Sequence, residues 1–132
     1  VAAIQSVIQK HPSRAVDNYM LETAASEDNI KTAVVFPPII YGLSEGPWNQ
    51  HSVQIPLLAS ATIKTGHGVR VGSGESRWGN IHVRDVGRIF SSLAEAAANG
   101  RNDDGIWGKD ALYLAGVGEL VSQYLVHVMI VC

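Results

Sequence analysis

Apolar positions in this chain fall into a few recognisable patterns. Residues 31–36, "KTAVVF", end in an unbroken apolar run, Ala33 to Phe36, and read as a buried strand rather than an alternating surface one. The run stops at Pro37-Pro38, and neither residue is compatible with a helix interior. Residues 36–48 are rich in Pro and Gly and predict a loop. Upstream, Val16, Tyr19, Met20, Thr23 and Ala24 recur at helical spacing, with Pro12 just before them, and predict an amphipathic helix over 13–26. Residues 52–65 predict a second helix that tolerates Pro56 near its first turn and stops at Gly66 and Gly68. Val69 and Val71 alternate with Arg70 as in a half-exposed strand. "GSGES" is turn chemistry, and "NIHV" at 80–83 predicts a second short strand. The clearest helix follows. Asp85 stands at an N-cap position, and Val86, Ile89, Phe90, Leu93, Ala94 and Ala97 hold one face as far as the stop at Asn99-Gly100. Residues 102–105 predict a turn and 111–116 a last short strand, while 117–131 fit a helix or a strand equally well.

Strands interleaved with helices within 132 residues predict one α/β domain. Apolar content of 46 % against 17 % charged residues excludes a disordered chain. A net charge of −2, with no dense Lys/Arg run, argues against nucleic acid or a membrane surface as partner. The apolar stretch at 125–132 is too short to cross a bilayer. Cys132 is the only cysteine, so no disulfide forms within the chain, which fits a reducing, cytoplasmic setting.

Several tempting motifs do not survive their context. "GHGVRVG" at 66–72 follows a helix and precedes a strand, the reverse of a dinucleotide-binding turn. His11, His51, His67, His82 and His127 lack the spacing of a metal set, so no metal is expected. "GSGES" fails the spacing of a nucleophile elbow, and Asp103-Asp104 reads as a solvated turn rather than a catalytic pair.

What remains is an ordered series: Phe36-Pro37-Pro38-Ile39-Ile40-Tyr41-Gly42, then Val53 to Pro56, then Trp78-Gly79-Asn80-Ile81-His82-Val83-Arg84-Asp85-Val86 leading into a helix. In that order, and over about residues 11–116, the chain resembles the carboxyl-terminal part of an extended or atypical short-chain dehydrogenase/reductase of the NAD(P)-dependent epimerase/dehydratase type. The resemblance implies an α/β fold that is the carboxyl-terminal part of an NAD(P)-binding Rossmann-like fold with a small substrate-binding region. Residues 1–48 would complete the Rossmann-like core, 49–116 would supply the substrate-region helix, hairpin and helix, and 117–132 would be an atypical tail. It further implies that Phe36, Pro37, Pro38 and Ile39 line the nicotinamide of NAD or NADP. Tyr41, Asn49, Ser52, Arg77 and His82 would border a small-molecule substrate, and homodimers are an expected assembly. Asp85 has its own explanation as a helix cap.

The chain departs from the family in two ways. The family's Tyr-x-x-x-Lys pair, which supplies the base and holds the ribose, is absent: aligning Asp17 with the family's usual acidic residue on that helix puts Gln9 and Ser13 at those positions. His11 and Arg14 stand nearby as substitute candidates. The Gly-rich pyrophosphate loop and its βαβ units are not in these 132 residues, so the sequence is expected to be a fragment or truncated gene product that binds NAD(P) poorly alone. Three readings follow: part of an oxidoreductase or epimerase acting on a hydroxyl or carbonyl carbon, a non-catalytic NAD(P)-sensing or interaction module, and a stand-alone domain without cofactor.

Overall fold

The computed structural model describes residues 1–68, 72–103 and 105–121. Among them the chain order is α1 (Ala2–Gln9), α2 (Ala15–Ser26), β1 (Val34–Phe36), β2 (Ile39–Tyr41), α3 (Gln54–Thr65), β3 (Arg77–His82), α4 (Val83–Ala98), β4 (Leu112–Leu114) and β5 (Gly118–Val121). The protein is mixed α/β with two small sheets, β1-β4 and β2-β3-β5. They belong to two compact units. One comprises Val1–Phe36 with Leu93–Leu114, the other Pro37–Ser92 with Ala115–Cys132.

In the first unit β1 and β4 run parallel, with Val34, Val35 and Phe36 opposite Leu112, Tyr113 and Leu114. The ladder is entered from buried backbone. Gly108 N–H donates to the Thr32 carbonyl at 2.8 Å, and Val34 N–H donates to the Ala111 carbonyl at 2.9 Å. Thr32 and Ala111 are both buried. Helix α1 has no side-chain cap and spans only eight residues, too short to be stable through local propensity alone. Burial of Ile8 and a bond from Gln5 Nε2 to the Lys109 carbonyl (2.8 Å) tie it to the rest of the unit. The corner between α1 and α2 is closed by one side chain. Asn18 Nδ2 lies 3.2, 3.3 and 3.0 Å from the carbonyls of Ile8, His11 and Arg14.

In the second unit β2 pairs parallel with β3, Ile39, Ile40 and Tyr41 opposite Asn80, Ile81 and His82. The antiparallel neighbour on the other edge of β3 is β5. Parallel neighbours need a crossover, and α3 lies within this one, so β2-α3-β3 is a βαβ unit. Ile81, 1 % exposed, is the buried centre of β3. Pro38 packs close to Gly79, where a Cβ would come within 3.1 Å of the proline ring. Helix α3 ends at Gly66, whose left-handed φ of 69° and N–H bond to the Thr62 carbonyl (3.0 Å) close the last turn.

The structure corrects several expectations. Residues 36–48 are not one loop, because Ile39–Tyr41 is a strand. Pro37-Pro38 ends one strand without ending extended structure, since the next three residues find a different partner. Asp85 is not an N-cap. Helix α4 starts at Val83, directly after β3, which places Asp85 in the first turn beside Arg88 Nη1 at 3.0 Å. A carboxylate there still favours the positive end of the helix dipole. The strand foreseen at 80–83 begins earlier, at Arg77, and gives Val83 to the helix. The stripe drawn through Val16 and Tyr19 is not the packed face of α2: both are exposed, and Leu21 is the buried residue. Helix α1 was not foreseen, for it carries no start or stop signal. Of the undecided stretch at 117–131, Gly118–Val121 is a strand. The predicted strand at 69–71 and residues 122–132 lie outside the described residues.

Asn18→Ala removes the donor shared by three carbonyls and is expected to cost about 1–2 kcal/mol, read as a lower midpoint in urea denaturation with an unchanged slope.

Candidate functional site

In an open α/β sheet, ligands bind beyond the carboxyl ends of parallel strands. In the second unit a cleft of about 310 Å³ reaches that edge and extends along β2 as far as Pro38, before the strand's start. Its lining includes Gly42, the residue after β2, and Val83, the residue after β3. Pro38, Ile40, Val53 and Val83 make its apolar surface. Ser44, Asn49, Gln50, His51, Ser52 and Gln54, from the loop after β2 and the start of α3, make its polar surface.

The loop is held largely by its own bonds. Ser44 N–H donates to the Gln50 carbonyl at 2.9 Å, Gly46 N–H to Ser44 Oγ at 3.1 Å, and Gln50 Nε2 to the Gly46 carbonyl at 3.3 Å. Glu45 is paired with Arg84 of α4. Ser44 and Gln50 therefore serve the loop's shape, whereas Asn49 and Ser52 have no such partner among the described residues. Asn49 takes a positive φ of 20°, a region that Asn enters more readily than most residues.

Beside the cleft, Tyr41 and His82 face each other across the β2–β3 ladder, ring centroids 5.2 Å apart and edge to face at 82°. Arg84 N–H donates to His82 Nδ1 at 3.2 Å, so in the neutral imidazole the hydrogen sits on Nε2. Nε2 lies against Gly42, where a Cβ would approach it to 2.4 Å. Gly42 also has φ 101°. The turn out of β2 thus requires glycine both for its backbone and for the histidine beneath it.

Of the residues singled out from sequence, the cleft brings Pro38, Asn49 and Ser52 together. Ile39 and Tyr41 lie in β2, and His82 ends β3. Pro37 is exposed. Arg77 begins β3, about 16 Å from His82 at the rise of a parallel strand; its guanidinium meets Glu119 at 3.1 Å. Phe36, His11 and Arg14 belong to the first unit. There Arg14 binds Asp17 at 2.7 Å and lies 5.6 Å from the Phe36 ring centroid, a cation–π contact, while His11 is exposed. Sequence reading missed Ser44, His51, Gln54, Val53 and Val83. Only the two boundary residues, Val53 before α3 and Val83 after β3, had a positional signal. It also missed a second cavity, about 410 Å³, in the first unit beside Trp107, Lys109 and Asp110. Among the described residues no group of three or more His, Cys, Asp or Glu side chains is placed to hold a metal, and no helix is long and apolar enough to cross a membrane.

Comparison with known proteins adds one relative. The chain is 29 % identical over 107 residues to the oxidase ucsJ of Acremonium sp, an alignment that covers 76 % of this chain and 31 % of the oxidase. The chain thus spans less than a third of the length of the curated relative it matches. No family model and no solved structure matches. An oxidoreductase is therefore among its distant relatives.

Gly42→Ala combines a disfavoured φ with the collision at His82 and is expected to cost about 2–4 kcal/mol. The double variant Gly42→Ala/His82→Ala should recover about 1 kcal/mol or more relative to additivity in a double-mutant cycle of urea midpoints.

Proposed function

We propose that this chain is the substrate-side, carboxyl-terminal portion of an NAD(P)-dependent oxidoreductase of the short-chain dehydrogenase/reductase type, acting on a hydroxyl or carbonyl carbon. The observation that carries the reading is the cleft at the carboxyl ends of β2 and β3, in a βαβ unit. The distant oxidase relative supports it. When bound, NAD(P) would supply the hydride chemistry at such a carbon, and Pro38, Ile40, Asn49 and Ser52 would hold its nicotinamide end and the substrate.

The residues present fit one end of such a cofactor. Pro38 and Ile40 give the cleft an apolar surface suited to a flat ring, and Asn49 and Ser52 supply donors and acceptors for an amide or hydroxyl. Among the described residues no Gly-rich strand-to-helix turn is available for the pyrophosphate, so the roles assigned here are confined to the nicotinamide and substrate end. Pro37 would contribute through its backbone and packing, as the resemblance implies, whereas Phe36 belongs to the first unit.

A second reading is favoured by one feature. Gln9 and Ser13 stand where the family carries its Tyr and Lys, and Arg14 is already engaged by Asp17 and Phe36. A protein of this kind would sense the reduced or oxidised cofactor, or serve as an interaction module, without turning substrate over. Homodimerisation and a cytoplasmic location belong to either reading as expectations.

The test is amide chemical-shift titration of the 132-residue chain with millimolar reduced nicotinamide mononucleotide. Weak shifts are expected at Ile40, Gly42, Ser52 and Val83 of the chain alone, and absence of NAD(P)H binding by the native protein captured from its source refutes the reading. In the native protein captured from its source, loss of the NADPH absorbance band with a carbonyl substrate selects the enzyme. Binding without turnover selects the sensor.

A further inference from the structure

The second cavity, of about 410 Å³, belongs to the first unit alone. It lies between the last turn of α2 and residues 105–110, the turn that enters β4. That is the amino end of the β1–β4 pair, opposite to the end at which open α/β sheets take their substrates. The space exists because much of its lining has almost no side chain. Ala24 and Ala25 offer only methyl groups, and at Gly105 and Gly108 a Cβ would point into open space. The turn itself is held in place. Gly108 N–H donates to the Thr32 carbonyl at 2.8 Å, and Ala111 N–H donates to the Gly108 carbonyl at 3.0 Å.

The walls of this cavity favour positive charge. Trp107 is half-buried, and its Nε1–H is already given to the Arg101 carbonyl at 2.9 Å. With that donor used, the indole has its π-surface to offer, which attracts cations. The Arg101 guanidinium is itself paired with Asp103. Asp110 is positioned by Gln5 Nε2, 3.2 Å from Oδ1, and Oδ2 has no such partner among the described residues. The last turn of α2 brings the negative end of a helix dipole, carries no basic residue, and is followed at once by Glu27 and Asp28. Against these stands one lining cation, Lys109. It is exposed, and among the described residues its ammonium forms no ion pair, with Asp110 or any other. Its flexible stem can therefore swing into solvent and leave the cavity to a ligand.

We propose that this cavity binds an organic cation with an apolar body, its ammonium or guanidinium group set toward Asp110 and its hydrocarbon part against Trp107, Ala24 and Ala25. A volume of about 410 Å³ lies in the lower part of the ~300–1,000 Å³ range of small-molecule sites and admits a body of about one ring. Two sources carry that chemistry: a free amine, and a lysine or arginine side chain of a partner protein. At the amino end of the strands the ligand acts as an effector or an anchor rather than as a substrate. Its binding requires nothing from the oxidoreductase reading of the second unit.

The test is ligand-observed NMR titration of the native full-length protein that carries this chain. The probes share a phenyl-alkyl body: cationic phenethylammonium, neutral 2-phenylethanol and anionic 3-phenylpropanoate. Phenethylammonium is expected to bind about five- to thirtyfold more tightly than 3-phenylpropanoate, with 2-phenylethanol between them. Ala25→Leu puts a larger side chain at an exposed helical position and should abolish binding without moving the urea midpoint. Asp110→Asn keeps an acceptor for Gln5 and should weaken the cation about threefold or more. Lys109→Ala should tighten it about twofold. Competition with N-acetylarginine amide assigns the source. Displacement at comparable concentration supports a partner's basic side chain, and failure to displace supports a free amine. Equal or tighter binding of the anion overturns the proposal, as does absence of binding by all the probes. Cation binding that survives Ala25→Leu unchanged, or that weakens in Lys109→Ala, overturns it as well.

Discussion

Two consecutive prolines divide the strand-like run at 34–41, and much of the structure follows from that break. Pro37 and Pro38 remove two successive N–H donors from a segment that is otherwise fully suited to a ladder. The residues before them pair with β4, the residues after them pair with β3, and the first of the chain's three passages between the two compact units falls between Phe36 and Pro37. A single continuous strand over 34–41 would have needed one register with one neighbour. The prolines allow two short strands with separate partners. Pro38 itself is accommodated where Gly79 leaves room for its ring, so the break and the packing of β3 depend on each other.

The cleft inherits its position from the second of those strands. Because β2 and β3 are parallel, their carboxyl ends lie at the same edge, and the residues that leave them, Gly42 and Val83, line the same space. The turn after β2 is committed to glycine by its backbone and by His82, whose ring is in turn fixed by Tyr41 and by the Arg84 amide. The polar lining is then a property of the loop after β2 and the start of α3, which can vary in chemistry without disturbing the ladder.

Much of this was legible in the sequence, and the failures have physical causes. Helices α2, α3 and α4 and strands β1 and β4 carry their own signals: helical spacing for α2 to α4, the glycine stop after α3, and compact apolar runs for the strands. Strand β2 was hidden because Pro-Pro is a strong stop signal, and only the partner strand β3, about forty residues away, shows that extended structure resumes. Helix α1 was hidden because its stability comes from Ile8 and Gln5 meeting distant residues. Asp85 looked like a cap because a helix was expected to need one; here β3 leads straight into α4. For the site, Pro38, Asn49 and Ser52 were reached through resemblance, while Ser44, His51 and Gln54 carry no local mark that separates them from ordinary loop polarity.

The division at Pro37-Pro38 is tested most directly by interstrand NOEs in the isotope-labelled chain. A parallel pattern is expected to link Val35 with Tyr113, and a second parallel pattern Ile40 with Ile81. If the residues on both sides of the prolines instead show NOEs to one and the same strand, or if Ile40 has no strand partner, the cleft loses its frame and the functional reading built on it is contradicted.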